Sequence, residues 1–579
     1  MGLKDLISSL FTYKQPEKHS FVLLESNDEE SNSNNNQISK NNASVPETKK
    51  IFPALSVNLE YVKTKYNSMI NSDIIIREFT LNARGKQYAA FILYIDGMID
   101  TDIMNRFILE PLMLKNRSNM YEGDQNRIIS EAVTNNITVR KVKKFDLSEY
   151  ILGCLMPQNS VEQYSEFEKV FNDINSGNCA LFIDTLTIAF DIDVKGFKQR
   201  SVERPQNEIV INGAHEAFVE NIRTNTSLIR RNVHNENLII ENISIGKITK
   251  TPSALCYVQN IANSDLVDEV RYRLNNIEVD SLLSTGQLEQ LIIDSNIMDI
   301  PQVLSTERPD KASSYLLDGR VIVLVNGTPY ALIAPAIFTD FLGSPDDKNM
   351  KSSFANFVKS IRILAAFFTL LLPGIYVAVS NFHSEVLPTD LLFSILASRE
   401  NVPFPVIFEI LILEISFELI REAGLRVPSP IGTTISIVGA LVLGQAAVSA
   451  SIVSPVLVIV VAMTGISSFA IPDFSFSFHL RLYRFIFMFL GYCCGFLGIS
   501  LGLFAYISIL CDMKSFGVPY MANISPWSKT KGDSYFLPPI WKREYRAQYL
   551  DTKKDEKQEK IAMKWKFPFL SKKEEEIKR

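Results

Sequence analysis

The chain has 579 residues, 46% hydrophobic and 21% charged, and its 59 Lys plus Arg nearly balance its 64 Asp plus Glu. That balance argues against a nucleic-acid binder, and six cysteines without a CxxC pair argue against a zinc site or a disulfide framework. No Asp, Glu, Lys or Arg occurs from Ile363 to Phe382, from Ile431 to Pro472 or from Phe485 to Cys511, so the composition describes an integral membrane protein and excludes a wholly soluble enzyme, a secreted scaffold or a disordered chain.

At the start, Leu6, Ile7, Leu10 and Phe11 have helical spacing, but there is no long apolar core or cleavage site. A cytoplasmic N-terminus is expected. Ser26 to Lys50, with seven Asn, lacks the apolar surface to fold, which predicts a disordered tail over 1–50. Leu55, Leu59, Val62 and Tyr66 then predict a helix, and Ile74 to Leu81 and Tyr88 to Ile95 predict two strands, the second closing at Asp96-Gly97. Ile103, Phe107, Ile108 and Leu112 give another helical face, followed by a polar insertion over Asn116 to Ile137.

A second unit is expected from Ser160. Cys179 to Asp193 reads as two strands, and Phe218, Ile222 and Ile229 mark a helix rich in Arg and Asn. Arg223, Arg230 and Arg231 exceed what a short buried helix normally carries and are candidates for subunit contacts, with a solvated face as the alternative. Strands over Leu238 to Ile245 and Ala254 to Gln259, a helix over Leu266 to Leu274, and a hairpin turning at Asn326-Gly327 complete the unit.

Four spans follow, at about 361–381, 431–449, 453–471 and 485–510. Leu387 to Leu396 is short, and Phe404 to Ile420 carries Glu409, Glu414 and Glu418. Carboxylates in a bilayer face a bundle interior, a cavity or a partner charge. These three read either as an ion vestibule or proton-coupled switch, or as an interfacial helix whose acids meet water, Arg399, Arg421 or Arg426. Basic residues before the first span and after Cys511 put both ends in the cytoplasm. That needs an even number of crossings, whereas the four spans and the Glu-rich segment make five.

The expected architecture is an α+β cytosolic N-terminal region of two subdomains (51–159 and 160–345), a polytopic α-helical transmembrane domain (346–511) and a cytosolic C-terminal tail (512–579). The tail ends in KWKFPFLSKKEEEIKR, where Trp565, Phe567 and Phe569 alternate with Lys564 and Lys566. It reads as solvated, with adhesion to the membrane surface as the alternative.

No phosphate loop, HExxH or Rossmann glycine fingerprint is present, and the scattered histidines suggest no metal site. Catalytic residues, metals and cofactors are not expected. Gly491, Gly495, Gly498 and Gly502 form GxxxG spacings, which let helix backbones approach closely. In the segment from Thr433 to Ser449, Gly439, Ala440, Gly444 and Ala447 cluster on one side and suit helix packing. Thr434, Val438, Leu441, Gln445 and Val448 lie opposite and are candidates to line a pore. The alternative is that Gln445 hydrogen-bonds a neighbouring helix.

Together, DIIIREF (73–79), YIDGM (94–98), ENIRTNTSLIRR (220–231), GRVIVLVNGTPYALIAP (319–335), VPFP (402–405), GALVLGQAAV (439–448) and SFGVPYM (515–521) resemble the A subunit of the GerA-type spore germinant receptors. SPDDKN after Gly343 departs from the Tyr pair that many relatives carry there. The resemblance implies a multi-pass protein of the spore inner membrane, partnered by a permease-like B subunit and a C-subunit lipoprotein. It further implies a homo-oligomer, a pentamer, forming the ion-conducting pore while B binds the nutrient. A non-conducting scaffold or signalling subunit is the alternative. Neither reading is enzymatic.

Overall fold

The computed structural model describes residues 50–83, 86–113, 146–158, 160–196, 205–294, 299–426, 444–525 and 536–558. The expected N-terminal tail, the polar insertion, the basic C-terminal motif and the candidates Thr434, Val438, Gly439, Ala440 and Leu441 lie outside these residues.

The first sheet comprises β1 (Ile74–Ala83), β2 (Lys86–Ile95), β3 (Val161–Tyr164), β4 (Cys179–Ile183) and β5 (Ala189–Ile192), in the order β1-β2-β4-β5-β3. All pairings are antiparallel. Alternation along β2 sends Phe91, Leu93 and Ile95 to one face and Ala90 and Ile92 to the other. Helices α1 (Leu55–Lys65) and α2 (Phe167–Asn175) cover the first face through Val62, Tyr66, Phe167, Val170 and Phe171. Helical residues 101–113 and 147–155 cover the second through Met104, Ile108, Leu112 and Ile151.

The second sheet repeats this plan. Its strands β6 (Leu238–Ile245), β7 (Thr251–Val258), β8 (Leu304–Thr306), β9 (Val321–Val325) and β10 (Ala331–Ala334) run in the order β6-β7-β9-β10-β8, again antiparallel throughout. Helices α3 (Ile222–Asn232) and α6 (Pro309–Leu317) cover one face, and α4 (Ser264–Asn275) and α5 (Thr285–Ile292) the other. Each unit thus reads helix, two strands, helical layer, strand, helix, two strands, so the two are copies of one three-layer fold. The division expected at 159/160 falls inside the first copy, since β3, β4 and β5 lie beyond it. The long insertion separates those strands from β1 and β2 in sequence, and β3 is short and polar, so local pattern conceals their pairing.

A buried ion pair joins the copies. Arg230 on α3 is 2% exposed, and its Nε and Nη2 donate to the two carboxylate oxygens of Asp73 at 2.8 and 2.9 Å. Its remaining hydrogen bonds go to Asn71 and to the Asn235 carbonyl. Arg223 pairs with Asp96 and Arg231 with Glu216. The expected outward role fails for Arg230, whose charge is spent inside the chain. Its partner lies 157 residues upstream, beyond the reach of local pattern.

Five further helices follow: α7 (Ser352–Phe382), α8 (Thr389–Arg399), α9 (Val406–Arg426), α10 (Pro455–Phe469) and α11 (Phe474–Asp512). By length and composition α7 and α11 could cross a membrane. α11 is not straight, because Gly495 sits at φ 61°, ψ −141°, a left-handed conformation that favours glycine. His479 Nε2 lies 2.9 Å from the Tyr506 hydroxyl, although 27 residues of continuous helix would span about 40 Å. The helix therefore doubles back at Gly495 into two antiparallel arms, where sequence predicts one span over 485–510. Phe496 N donates to His383 Nε2 at the tip.

The four glycines have different tasks in this hairpin. A Cβ on Gly491 would lie 2.6 Å from the Gly374 carbonyl oxygen of α7, and one on Gly498 would lie 2.4 Å from that of Leu490. One on Gly502 would meet the Leu490 side chain. Three of the four therefore permit close packing, and Gly495 makes the turn.

Candidate functional site

Helix α9 carries the three intramembrane candidates and is held by charge. Glu414 and Glu418 are one helical turn apart and face the first arm of α11. Arg484 Nη2 lies 2.6 Å from Glu418 Oε1 and 2.8 Å from Glu414 Oε2, with Arg484 and Glu414 both 0% exposed. The Glu418 contact is a hydrogen bond. Glu414 Oε2 is at ion-pair distance but off the N–H direction, so neither of its oxygens has an aligned donor among the described residues. Arg481 Nη1 reaches Glu418 Oε2 at 2.7 Å. Arg421 stands 3.6 Å from Glu418, bonds Ser468 Oγ at 2.7 Å and lies over the Phe469 ring.

This cluster sets three arginines against two carboxylates and links α9, α10 and α11. Arg484 uses one of its three nitrogens; Nε and Nη1 have no partner among the described residues. Near the far end of α9, Glu409 pairs with Arg399 at 3.2 Å and accepts from Ser454 N at 3.2 Å, the N-cap of α10. Of the partners proposed from sequence, Arg399 and Arg421 are engaged, and Arg426 pairs with Glu422 instead. Glu409 and Glu414 are buried against their partners at 1% and 0% exposure, whereas the Glu418 side chain keeps 29% of its surface open. Arg481 and Arg484 are the members of this cluster that sequence reasoning missed. They flank the uncharged run beginning at Phe485, three residues apart and so on one helical face.

Residues 444–449 are helical and lead to α10. Gly444 and Ala447 turn toward the bundle, Gly444 beside Val458, and Gln445 is exposed. Val448 is half-buried and packs against the cluster formed by α9 and α10.

The hairpin end of α11 runs straight into the second α+β unit. β11 (Lys514–Ser515) and β12 (Val518–Pro519) form a two-stranded turn with Phe516 buried beneath the Arg273 guanidinium, 4.3 Å from its ring centroid. Ser515 Oγ donates to the Gln302 carbonyl at 2.6 Å, and Phe338 N donates to the Tyr520 carbonyl at 2.9 Å. In the third turn of α7, Arg362 Nη1 bonds Asp347 at 2.6 Å. The helical part is thus joined to the second unit at both ends.

The family model described as Bacillus/Clostridium GerA spore germination protein matches residues 60–549. This chain belongs to the GerA family. It is 38% identical to spore germination protein KA of Bacillus subtilis over 500 residues, covering 86% of this chain and 87% of that protein. Spore germination protein A1 of Bacillus subtilis is 41% identical over 374 residues, covering 64% and 78% respectively. GerLA of Bacillus cereus is 33% identical over 485 residues, covering 83% and 93%. A crystal structure of the N-terminal domain of the A subunit of the Bacillus megaterium spore germinant receptor GerK3 matches at 30% identity with a TM-score of 0.35, covering 50% of this chain and 97% of that one. The GerA match spans both α+β copies, the charge cluster and the SFGVPYM turn, and the family is a receptor family, not an enzyme family.

Proposed function

We propose that this chain is the A subunit of a nutrient germinant receptor and that copies of it surround an ion-conducting pore. Membership of a spore germination family over 60–549 carries the first part. The pore reading is supported by Gln445, which is exposed while its neighbours Gly444 and Ala447 turn toward the bundle. A lone amide facing lipid is unfavourable, so that face meets a second copy or water. Nutrient binding to a permease-like B subunit opens the pore, a C-subunit lipoprotein completes the receptor, and ions leaving the spore core start germination. The complex sits in the spore inner membrane.

The hairpin at Gly495 supports a consistent topology. Crossings by α7, α9, the span expected from sequence over 431–449, α10 and the two arms of α11 number six, which returns both ends of the chain to one side. α8 then stays at the interface. The α+β copies and the SFGVPYM turn lie on the side reached by both ends of the hairpin, suited to pass a movement of the cytosolic copies to α11. The charge cluster joining α9 to α10 and α11 is the joint that such a movement strains.

The experiment is ion release from spores with and without this chain, its partner genes intact. Nutrient-triggered cation release that vanishes without the chain and returns on complementation is expected; unaltered release contradicts a receptor role. Conduction itself separates the pore from a signalling scaffold.

A further inference from the structure

A cavity of about 550 Å³ opens where α6, the start of α7 and the C-terminal segment 536–558 meet. The segment is bound in place: Leu537 N donates to Asn356 Oδ1 at 2.8 Å, Arg320 Nη2 donates to the Tyr549 hydroxyl at 3.0 Å, and Lys557 pairs with Asp318. Seven Lys and Arg line the cavity against four Asp.

Each of the four carboxylates is already matched. Asp340 holds Arg320, Asp347 holds Arg362 and Asp310 holds Arg308, while Asp318 has both Lys348 and Lys557. Arg543 and Arg546 donate to main-chain carbonyls, with no carboxylate among the described residues in hydrogen-bond contact. Arg320, 3% exposed, keeps an unpartnered Nε. Burial pushes Lys348, Arg543 and Arg546 below their ordinary values, as expected for cations gathered out of water.

Apolar surface adjoins this charge. Ile540 lines the cavity, and Ile540, Trp541 and Phe536 are exposed beside it. On α7, the buried Lys359 is another lining residue. Aromatic side chains next to Lys and Arg are the composition of a membrane interface. A soluble phosphate would use only the cations.

We infer that this cavity holds the phosphate of an anionic phospholipid from the leaflet facing the α+β copies, with Ile540 and Trp541 against its acyl chains. Bound there, the lipid bridges α7 and the C-terminal segment and ties the cytosolic copies to the bilayer surface. This site rests on the membrane placement proposed above.

The test uses the full chain in nanodiscs of phosphatidylcholine alone or mixed with phosphatidylglycerol, reading co-purifying lipid by mass spectrometry and the melting temperature. Phosphatidylglycerol should be enriched roughly tenfold over phosphatidylcholine and should raise the melting temperature. Arg543→Gln should reduce the enrichment about fivefold, Trp541→Ala should reduce it too, and Arg543→Lys should retain it. Equal retention of both lipids by inserted protein overturns the site. So does inorganic phosphate that stabilises the detergent-solubilised chain as much as phosphatidylglycerol while Trp541→Ala has no effect, which marks a free-anion site. A chain that enters neither bilayer overturns the membrane placement itself, and this site with it.

Discussion

Two of the buried arginines, Arg230 and Arg484, are held in different ways. Arg230, between the α+β copies, directs all three nitrogens at acceptors: both oxygens of Asp73, the Asn71 amide and a carbonyl. Arg484, between α9 and α11, has one partnered nitrogen and beside it a carboxylate, Glu414, with no aligned donor. A buried charge with every site satisfied is fixed in one geometry, whereas a partly satisfied one has other arrangements of similar energy. The first suits a rigid module. The second suits a joint that must shift.

The comparison can be tested from its strong side first. Asp73→Ala leaves Arg230 buried without its counter-charge and should cost about 3–5 kcal/mol, read as a large drop in melting temperature of the full chain. A neutral result would remove the idea that this pair locks the copies together.

Asp191 provides the pH counterpart within the first copy. Burial pushes its carboxyl up to about 7 even though Asn178 donates to it at 2.5 Å. Because the folded state holds a proton that the unfolded chain has released above about pH 4, stability should fall as pH rises from about 4 to about 7 and then level off. Asp191→Asn should flatten that slope; an unchanged pH profile would show that Asp191 does not set it.

Next in size is Gly498→Leu, whose side chain would begin 2.4 Å from the Leu490 carbonyl oxygen. It should open the α11 hairpin at a cost of about 1–3 kcal/mol. Cysteines replacing His479 and Tyr506 should crosslink in the parent and lose that crosslink when Gly498→Leu is added. Absence of the crosslink in the parent would instead favour a straight α11.

The smallest stability effect is expected for Glu414→Gln, at about 1 kcal/mol or less, because Glu414 makes no aligned hydrogen bond. Its effect should appear in function, as an altered threshold for nutrient-triggered ion release. A loss as large as that of Asp73→Ala would erase the distinction between the two arginines.

Much of the fold was legible in sequence. β6 was expected at its observed bounds, Leu238–Ile245, and the Asn326-Gly327 turn does join β9 to β10, because period-2 alternation and turn chemistry are local. The duplication was not legible, since β3 and β8 are short and their pairing depends on distant strands. Gly495 could not be told from its neighbours, because a packing glycine and a turning glycine have the same identity and differ only in φ. The cost of a carboxylate in an apolar segment singles out Glu414 and Glu418, whereas Arg481 and Arg484 fall just outside the span expected at 485–510 and carry no such signal. Two elements far apart in sequence must meet before such a pair exists.

The most direct measurement is ion flux through the assembled receptor in liposomes, with the parent chain and with Val448→Ala, together with labelling of Gln445→Cys by a water-soluble thiol reagent. Pore formation predicts flux that depends on nutrient in the parent, a leak without nutrient in Val448→Ala, and modification of the cysteine at 445 that blocks conduction. Equal flux from both chains with an unreactive cysteine at 445 would contradict it, leaving a subunit that relays the signal without carrying the ions.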